Sequence, residues 1–346
     1  MTMTKKWDVA IVGATGAVGR EILAILEERD FPIKKISPYA SERSFGATVE
    51  FKNQELLITP LTEQVAEKAR HELVFFCAGT PVSRLFAPIF ARNGAIVIDK
   101  SAAFRMDADV PLVVPEVNGH LVKKLRAGHI VANPNCSTIQ LVPYLQVLDE
   151  LYGLRSVVVS TYQSVSGAGQ EGIEELRQQT ADIFACREAK PAVFTQRIAF
   201  NLIPHIDKFN ADGYTEEEKK LINETRKILG KPDLDIDCTA VRVPVFYGHA
   251  EAVTADLERP ADLTQLRSAL EERPEFALMD DFEQLLYPTP ADAAGKDTIL
   301  VGRLRYGRSG TDRSRVDGWV VADNIRKGAA LNGIQIAEVI IGKERS

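Results

Sequence analysis

No run of apolar residues in this 346-residue chain approaches the ~18 that a membrane-spanning helix requires, and the first residues lack the apolar core of a signal peptide. A cytoplasmic protein with no membrane partner is therefore expected. Cysteine is scarce: Cys77, Cys136, Cys186 and Cys238 lie far apart, without any Cys-x-x-Cys pair, which argues against both a zinc site and a disulfide framework. No metal is expected. An excess of basic charge is also missing, the formal net charge being −6, so nothing points to a nucleic-acid partner. Internal repeats and low-complexity tracts are absent. What remains, 45% apolar and 26% charged residues, is an ordinary globular composition, with length for about two domains.

The N-terminus reads as a short apolar strand, Trp7 to Val12, followed by the turn Gly13-Ala14-Thr15-Gly16-Ala17-Val18-Gly19 and by helical spacing at Val18, Ile22, Leu23, Ile25 and Leu26. Strand, glycine turn and helix stand in the order that a dinucleotide needs. Glycines let the backbone approach a pyrophosphate, which then rests on the helix N-terminus. The spacing is Gly-x-x-Gly-x-x-Gly rather than the commoner Gly-x-Gly-x-x-Gly. About 20 residues on, where an NAD site carries an acid for the ribose hydroxyl, Ser41 and Arg43 stand instead. These suit a 2′-phosphate and point to NADP; Glu42 between them reads as a solvated loop charge. Further strands at Leu73 to Ala78 and Ala95 to Ile98, with a helical pattern between, imply a parallel doubly wound sheet. Cys77, in the middle of the third strand, reads as core packing.

The centre of the chain is Ala132-Asn133-Pro134-Asn135-Cys136-Ser137-Thr138. A short apolar run precedes it, and Ile139, Leu141, Val142, Leu145 and Leu148 follow at helical spacing, which puts the thiol at a helix start. Unpaired N–H groups and the positive dipole end favour a thiolate there. A free cysteine is most often inert core packing, so the nucleophile needs support from elsewhere. Pro143 counts against the helix, because a proline inside a helix costs about 3 kcal/mol, and a kink or a later start is expected.

A second candidate centre is Arg242 to His249. In one unbroken strand, positions seven apart face opposite ways, so the two side chains share a pocket only if the chain bends, and Pro244 and Gly248 supply the means. A histidine near a thiol is its natural general base. His71, His120, His129 and His205 have no such setting and read as surface or packing residues. Ser164-Val165-Ser166-Gly167-Ala168-Gly169 is a second glycine-rich turn, before a helix beginning near Gln170, and could face phosphate or the nicotinamide end of a cofactor. Thr215 is an N-cap candidate for a helix whose Glu217 and Lys220 share a face. Arg303, Arg305, Arg308, Arg313 and Arg315 read as a solvated loop or a subunit contact.

Ser101 to Met106, Val113 to Asn118, Asn133 to Thr138, Ser164 to Gly169, Ala199 to Pro204 and Val321 to Ala330 occur in one order with the N-terminal glycine turn. Together they closely resemble aspartate-β-semialdehyde dehydrogenases over essentially the whole chain. N-acetyl-γ-glutamyl-phosphate reductases share the chemistry but set their cysteine in a Pro-Gly-Cys-Tyr-Pro-Thr context, which is missing here.

The resemblance implies NADPH-dependent reductive dephosphorylation of L-aspartyl 4-phosphate to the 4-semialdehyde, on the route to lysine, threonine and methionine, through a thioester on Cys136 with His249 as acid/base. It implies that Gln163 orients the substrate, that Arg242 clamps its α-carboxylate and that Glu217 meets its ammonium group. Arg105, Asn135 and Lys220 would take the phosphate, and Asn324 would contact the nicotinamide amide. A one-residue slip leaves Glu216 and Lys219 as alternatives to Glu217 and Lys220. The cofactor contacts expected are Gly13, Thr15, Gly16, Ala17, Val18, Gly19, Ser41, Arg43, Ser166, Gly167 and Asn324. The implied fold is α/β: a Rossmann-type domain over residues 1–133, completed by a C-terminal helix 324–346, and an α+β catalytic and dimerisation domain over 134–323, resembling that of glyceraldehyde-3-phosphate dehydrogenases. Relatives form homodimers or dimers of dimers.

Overall fold

A computed structural model describes residues 5–343. The chain forms two compact units, one of residues up to Asn135 together with those from Ala329 onward, the other of Cys136–Gly328. The first is a Rossmann-type α/β unit. Its elements are β1 (Trp7–Val12), α1 (Ala17–Glu28), β2 (Ile33–Ala40), β3 (Thr48–Phe51), β4 (Gln54–Leu57), β5 (Thr59–Pro60), α2 (Glu63–Lys68), β6 (Leu73–Phe76), α3 (Thr80–Arg92), β7 (Ile96–Asp99), the one-turn α4 (Pro115–Asn118) and β8 (Ile130–Ala132). Six strands pair in parallel in the order β5-β2-β1-β6-β7-β8. The order reverses between β1 and β6, and a ligand of such a sheet binds beyond the strand ends at that point.

The helical spacing read after Gly19 has a physical outcome: Ile22, Leu23, Ile25 and Leu26 are buried against Val9 and Ile11 of β1. Each fully buried side chain of this size contributes roughly 1.5–3 kcal/mol. The β3–β4 hairpin had no clear sequence signal. Strand β6 stops at Phe76, so Cys77 lies just past the strand rather than within it and is half-buried. Burial still pushes its thiol up to about 12.

The end of the chain completes this unit. Asp323 caps as expected, its Oδ1 accepting from the N–H groups of Ile325 and Arg326. The helix therefore begins two residues after Asn324, as a π-helical turn Arg326–Leu331, and continues as an α-helix over Asn332–Ile341. The tail of the expected span, 344–346, lies outside the described residues. Ile334, Ile336 and Ala337 pack in the same core as β1 and α1. Glu338, fully buried, takes a fork from Arg29 at 3.0 and 2.9 Å, and Asn332 donates to Asn133 at 2.6 Å and to the carbonyl of Val113 at 3.0 Å.

The second unit contains α5 (Cys136–Tyr152), β9 (Leu154–Gln163), α6 (Gln170–Phe184), α7 (Glu216–Leu229), β10 (Asp235–Arg242), β11 (His249–Leu257), α8 (Leu263–Glu271), β12 (Phe276–Leu278), the one-turn α9 (Pro290–Ala293), β13 (Ile299–Tyr306), the one-turn α10 (Gly307–Gly310) and β14 (Asp312–Ala322). Its sheet runs β10-β9-β11-β14-β13-β12 with mixed directions. Helix α5 starts at Cys136 and runs through Pro143 to Tyr152, which corrects the later start that the proline suggests. Ile139, Leu141, Val142, Tyr144, Leu145, Val147 and Leu148 are all fully buried. At roughly 2 kcal/mol each, they outweigh the single backbone bond that Pro143 forfeits. The arginine-rich stretch is not a loop but the β13–β14 hairpin; Arg303 and Arg313 are exposed, while Arg305, Arg308 and Arg315 meet carboxylates. Arg315 forks to Asp256 at 2.7 and 2.9 Å, while Arg305 meets Asp317 at 3.3 Å.

Replacing Glu338 with Ala leaves the guanidinium of Arg29 facing a hole beside α1. Urea unfolding should show a loss of about 3 kcal/mol, the usual cost of removing one partner of a buried pair.

Candidate active site

The C-terminal ends of two parallel strands and the start of an antiparallel one meet at one end of the second sheet. In the β9–β10 ladder Gln163 is opposite Arg242, and in the β9–β11 ladder Tyr162 is opposite Ala250, which brings His249 level with Gln163. The bend expected between Arg242 and His249 is a crossing: residues 243–248 leave β10, pass the end of β9 and enter β11 on its other side. Gly248 makes the entry possible, with φ +86 and no room for a Cβ, which would lie 2.8 Å from the carbonyl oxygen of Pro290.

The four side chains carried here are buried and bonded. Gln163 accepts from the Thr161 hydroxyl at 3.1 Å and donates to Glu217 at 3.0 Å. Glu217 sits in the first turn of α7, whose expected N-cap is Thr215, and Thr215 and Glu218 close that end with a reciprocal capping box. Lys220, one turn on, lies 3.4 Å from Glu217 and 2.6 Å from Asp207. Lys219 turns away to Asp212, and it is Glu217 that bonds to Gln163, with Lys220 against Glu217. Arg242 donates to the carbonyl oxygen of Ser164 at 2.8 Å and lies 5.9 Å from the ring centroid of Phe194. Burial lowers its pKa, while Glu217 and the Cys136 sulfur pull it back up.

His249 is fully buried, and burial together with the Arg242 charge pushes its pKa down to about 3. Its Nδ1 accepts from the backbone N–H of Ser164 at 3.1 Å, with the Ser164 hydroxyl at the same distance. The ring is therefore neutral, and the Ser164 N–H holds it in one orientation. Gly167 lies over this pair: a Cβ there would be 2.7 Å from Arg242 Nη1 and 3.4 Å from His249 Nε2. The glycine-rich turn thus has a packing cause in addition to any cofactor role.

Asn324 is a buried junction. Its Oδ1 accepts from the backbone of Gly248 at 2.9 Å and from the hydroxyls of Ser164 and Ser166 at 3.1 Å each, and its Nδ2 donates to Ser166 at 3.0 Å. Most of the amide expected to meet a nicotinamide is thus engaged in joining three segments of the site. Cys136 is half-buried at the first position of α5. Gly328, a residue that the sequence reading missed, packs on it: a Cβ there would come within 3.2 Å of the Cys136 Cβ. No periodic pattern could have revealed that contact.

The remaining candidates belong to the Rossmann-type unit. Arg105 is buried and donates to the carbonyls of Asn133 at 3.0 Å and Lys100 at 2.6 Å, and Asn135 is buried beside the start of α5. Gly13 has φ +87, and a Cβ on Gly19 would lie 2.3 Å from the Gly13 carbonyl, so the turn needs glycine at both places. Gly16, Ala17 and Val18 form the start of α1, and Thr15 is 3.4 Å from Ser44 across the turn. Ser41, Glu42 and Arg43 are exposed just after β2. A closely approaching backbone, a helix start and exposed polar groups after β2 fit a dinucleotide. Among the described residues no group of three or more His, Cys, Asp or Glu could hold a metal ion, and no helix is long and apolar enough to cross a membrane. His71 is tied to Asp8 at 2.7 Å and to Tyr39 at 2.8 Å, and His205 stacks on Phe209, as packing residues do.

Residues 8–125 match the family model of the semialdehyde dehydrogenase NAD binding domain, and residues 145–327 that of the semialdehyde dehydrogenase dimerisation domain. An aspartate-semialdehyde dehydrogenase of Aquifex aeolicus is 47% identical over 96% of this chain and 97% of its own. That of Shewanella violacea is 45% identical over 98% of this chain and 99% of its own. The chain belongs to the aspartate-semialdehyde dehydrogenase family. The crystal structure of aspartate semialdehyde dehydrogenase II from Vibrio cholerae complexed with ASA agrees, with a TM-score of 0.93 and 44% identity over 99% of this chain and 100% of that one. Members of the aspartate-semialdehyde dehydrogenase family are oxidoreductases of amino-acid biosynthesis with a nicotinamide dinucleotide cofactor.

The turn can be tested directly. Gly19→Ala should weaken dinucleotide binding by about tenfold or more in calorimetric titration, because the added methyl drives the turn open where the pyrophosphate rests.

Proposed function

We propose that the protein catalyses the reversible, NADPH-dependent reductive dephosphorylation of L-aspartyl 4-phosphate to L-aspartate 4-semialdehyde through a thioester on Cys136, on the route to lysine, threonine and methionine. The observation that carries the reading is the buried group Gln163, Glu217, Arg242 and His249 in the same unit as a helix that starts with a cysteine. One cation and one carboxylate suit a substrate with an α-carboxylate and an α-ammonium group. Arg242 takes the carboxylate, since a planar guanidinium presents donors in a fork that lysine lacks. Glu217 takes the ammonium, held in place by Gln163, and Gln163 itself is kept in one orientation by Thr161.

The Cys136 thiol gives its proton up to solvent and the thiolate attacks the acyl carbon; a carbon–sulfur bond forms, the carbon–oxygen bond to phosphate breaks, and the departing phosphate takes a proton from solvent. Splitting the displacement in this way replaces one hard step by two easier ones. The helix start and the Arg242 charge both favour the thiolate. Lys220 in the C-terminal unit is the phosphate contact together with Arg105 and Asn135, and all three phosphate roles rest on the resemblance. Bound NADPH supplies the hydride that turns the thioester into the aldehyde. Ser41 and Arg43 select the 2′-phosphate of NADP over the bare hydroxyl of NAD, and Thr15, Gly16, Ala17 and Val18 hold the pyrophosphate. Ser166, Gly167 and Asn324 shape the nicotinamide end. The protein works as a homodimer through its C-terminal unit, in the cytoplasm.

Assay in the reverse direction, with semialdehyde, phosphate and NADP, tests the reading. Wild type should reduce NADP only when phosphate is present, and Cys136→Ala should abolish turnover while NADP binding stays intact; substantial residual turnover would refute the nucleophile. Arg43→Ala should raise the KM for NADP by about tenfold, the worth of one charge-assisted contact of roughly 1.4 kcal/mol, with little change for NAD.

A further inference from the structure

Strand β11 carries an acid that the proposed reaction does not use. Glu251 lies two residues past His249 and so on the same face of the strand, the face that continues through Val253, Ala255 and Leu257 into the core shared with Leu141, Tyr144 and Leu145 of α5. Opposite it in the ladders are Thr161 of β9 and Val320 of β14. The side chain is fully buried, and among the described residues neither carboxyl oxygen receives a well-formed hydrogen bond. The polar group within reach is the side chain of Gln140.

Gln140 is fully buried as well, one helical turn after Cys136. Its Nε2 donates to the carbonyl oxygen of His249 at 3.3 Å, which ties α5 to the entry of β11, while its Oε1 has no partner among the described residues. An ionised Glu251 would therefore add two unsatisfied acceptors to a third in a dry space. A protonated Glu251 supplies the donor that this group lacks.

The surroundings favour the proton. Among the described residues no cation acts on Glu251; burial pushes it well above the usual carboxyl range, and only the Gln140 amide draws it back. From β10 the Cys238 thiol is near enough to feel its charge, and that thiol is itself raised by burial and then by Glu251, Glu218 and Glu217. On α7, Glu218 is committed to Thr215 and to the Ala240 N–H, and on β9 the Thr161 hydroxyl is committed to Gln163. A carboxyl with no charge partner in such a place keeps its proton.

We propose that Glu251 is a positioning residue, a neutral carboxylic acid that donates its proton to Gln140 Oε1 and so fixes the turn of α5 between Cys136 and Gln140 against the entry of β11. The consequence for catalysis rests on the thioester reading above: the thiol has to meet the acyl carbon of a substrate oriented by Gln163 and Arg242, and both are carried by the sheet to which β11 belongs. An amide held at Oε1 and at Nε2 keeps helix and sheet from sliding past each other. A misplacement of about 1 Å at a reacting atom costs up to about 10²-fold in rate. No proton leaves Glu251 during the reaction.

Two substitutions of similar volume separate this role from plain packing. Glu251→Gln keeps a donor and an acceptor but has no charge to lose, whereas Glu251→Leu removes the donor. In the semialdehyde assay Glu251→Gln should keep kcat within about threefold of wild type, while Glu251→Leu should lose about 30-fold, with the KM for NADP unchanged in both. Gln140→Leu should lose as much as Glu251→Leu, and the double variant no more than either, because the two side chains act as one unit. Infrared difference spectra of wild type against Glu251→Gln at neutral pH should show the carbonyl band of a protonated carboxyl in wild type. Absence of that band would overturn the proposal, as would a Glu251→Leu enzyme with wild-type kcat, or a Glu251→Gln enzyme that binds NADP yet is as slow as Glu251→Leu. Should Glu251→Leu not fold, the infrared band and Gln140→Leu carry the same test. A wild-type enzyme without semialdehyde activity would instead sink the thioester reading, and the infrared band would still report the Glu251 proton.

Discussion

Strand β9 lies between β10, which runs parallel to it, and β11, which runs against it, and the rest of the site depends on the register of those two ladders. With Gln163 opposite Arg242 and Tyr162 opposite Ala250, residues about 80 positions apart in sequence end at one level of one sheet. A slip of a single residue in either ladder would turn the affected side chain to the opposite face. Register is strongly specified here because the alternate residues Val157, Val159 and Thr161 of β9 and Val253, Ala255 and Leu257 of β11 are buried. The apolar core of the second unit therefore sets the geometry of its polar end.

That polar end is kept by bonding rather than by exposure. A buried polar group left without partners costs on the order of 1–3 kcal/mol, and this region buries Gln163, Ser164, Ser166, Glu217, Arg242, His249 and Asn324 together. Asn324 meets much of that cost by bonding to Gly248, Ser164 and Ser166 at once. Ser164 passes the constraint on to His249, and the Ser164 carbonyl passes it to Arg242. The preorganisation has an electrostatic side. A site that keeps its histidine neutral and its arginine beside a carboxylate and a cysteine stabilises negative charge on sulfur and oxygen without having to reorganise as the charge appears.

Legibility in the sequence followed the range of the interactions. The Gly13–Gly19 turn, the strand before it and the apolar stripe of α1 are local, and each was read correctly from spacing. The N-cap of α7 at Thr215 is equally local, since its bond to the Glu218 N–H closes within one turn. The helix through Pro143 was misjudged because a local rule about proline was set against burial that only the folded unit supplies. The loop expected at the β13–β14 hairpin fails for a related reason: Asp256 on β11 and Asp317 pair Arg315 and Arg305, so part of a charged stretch fits two strands. Gly328 carried no signal, since its neighbour Cys136 is distant in sequence.

The sequence by itself determined the dinucleotide turn, the cysteine at a helix start, the helix that presents Glu217 and Lys220, and, through several motifs in one order, the family. Those features depend on contacts within a few residues or on strings long enough to be distinctive. Tertiary structure alone decided that Ser164 holds the His249 ring, why Gly167 and Gly328 have no side chains, and that Asn324 joins three segments. Each of these turns on atoms brought within about 3 Å by strands and turns far apart in the chain, at distances where hydrogen-bond direction, not composition, sets the chemistry.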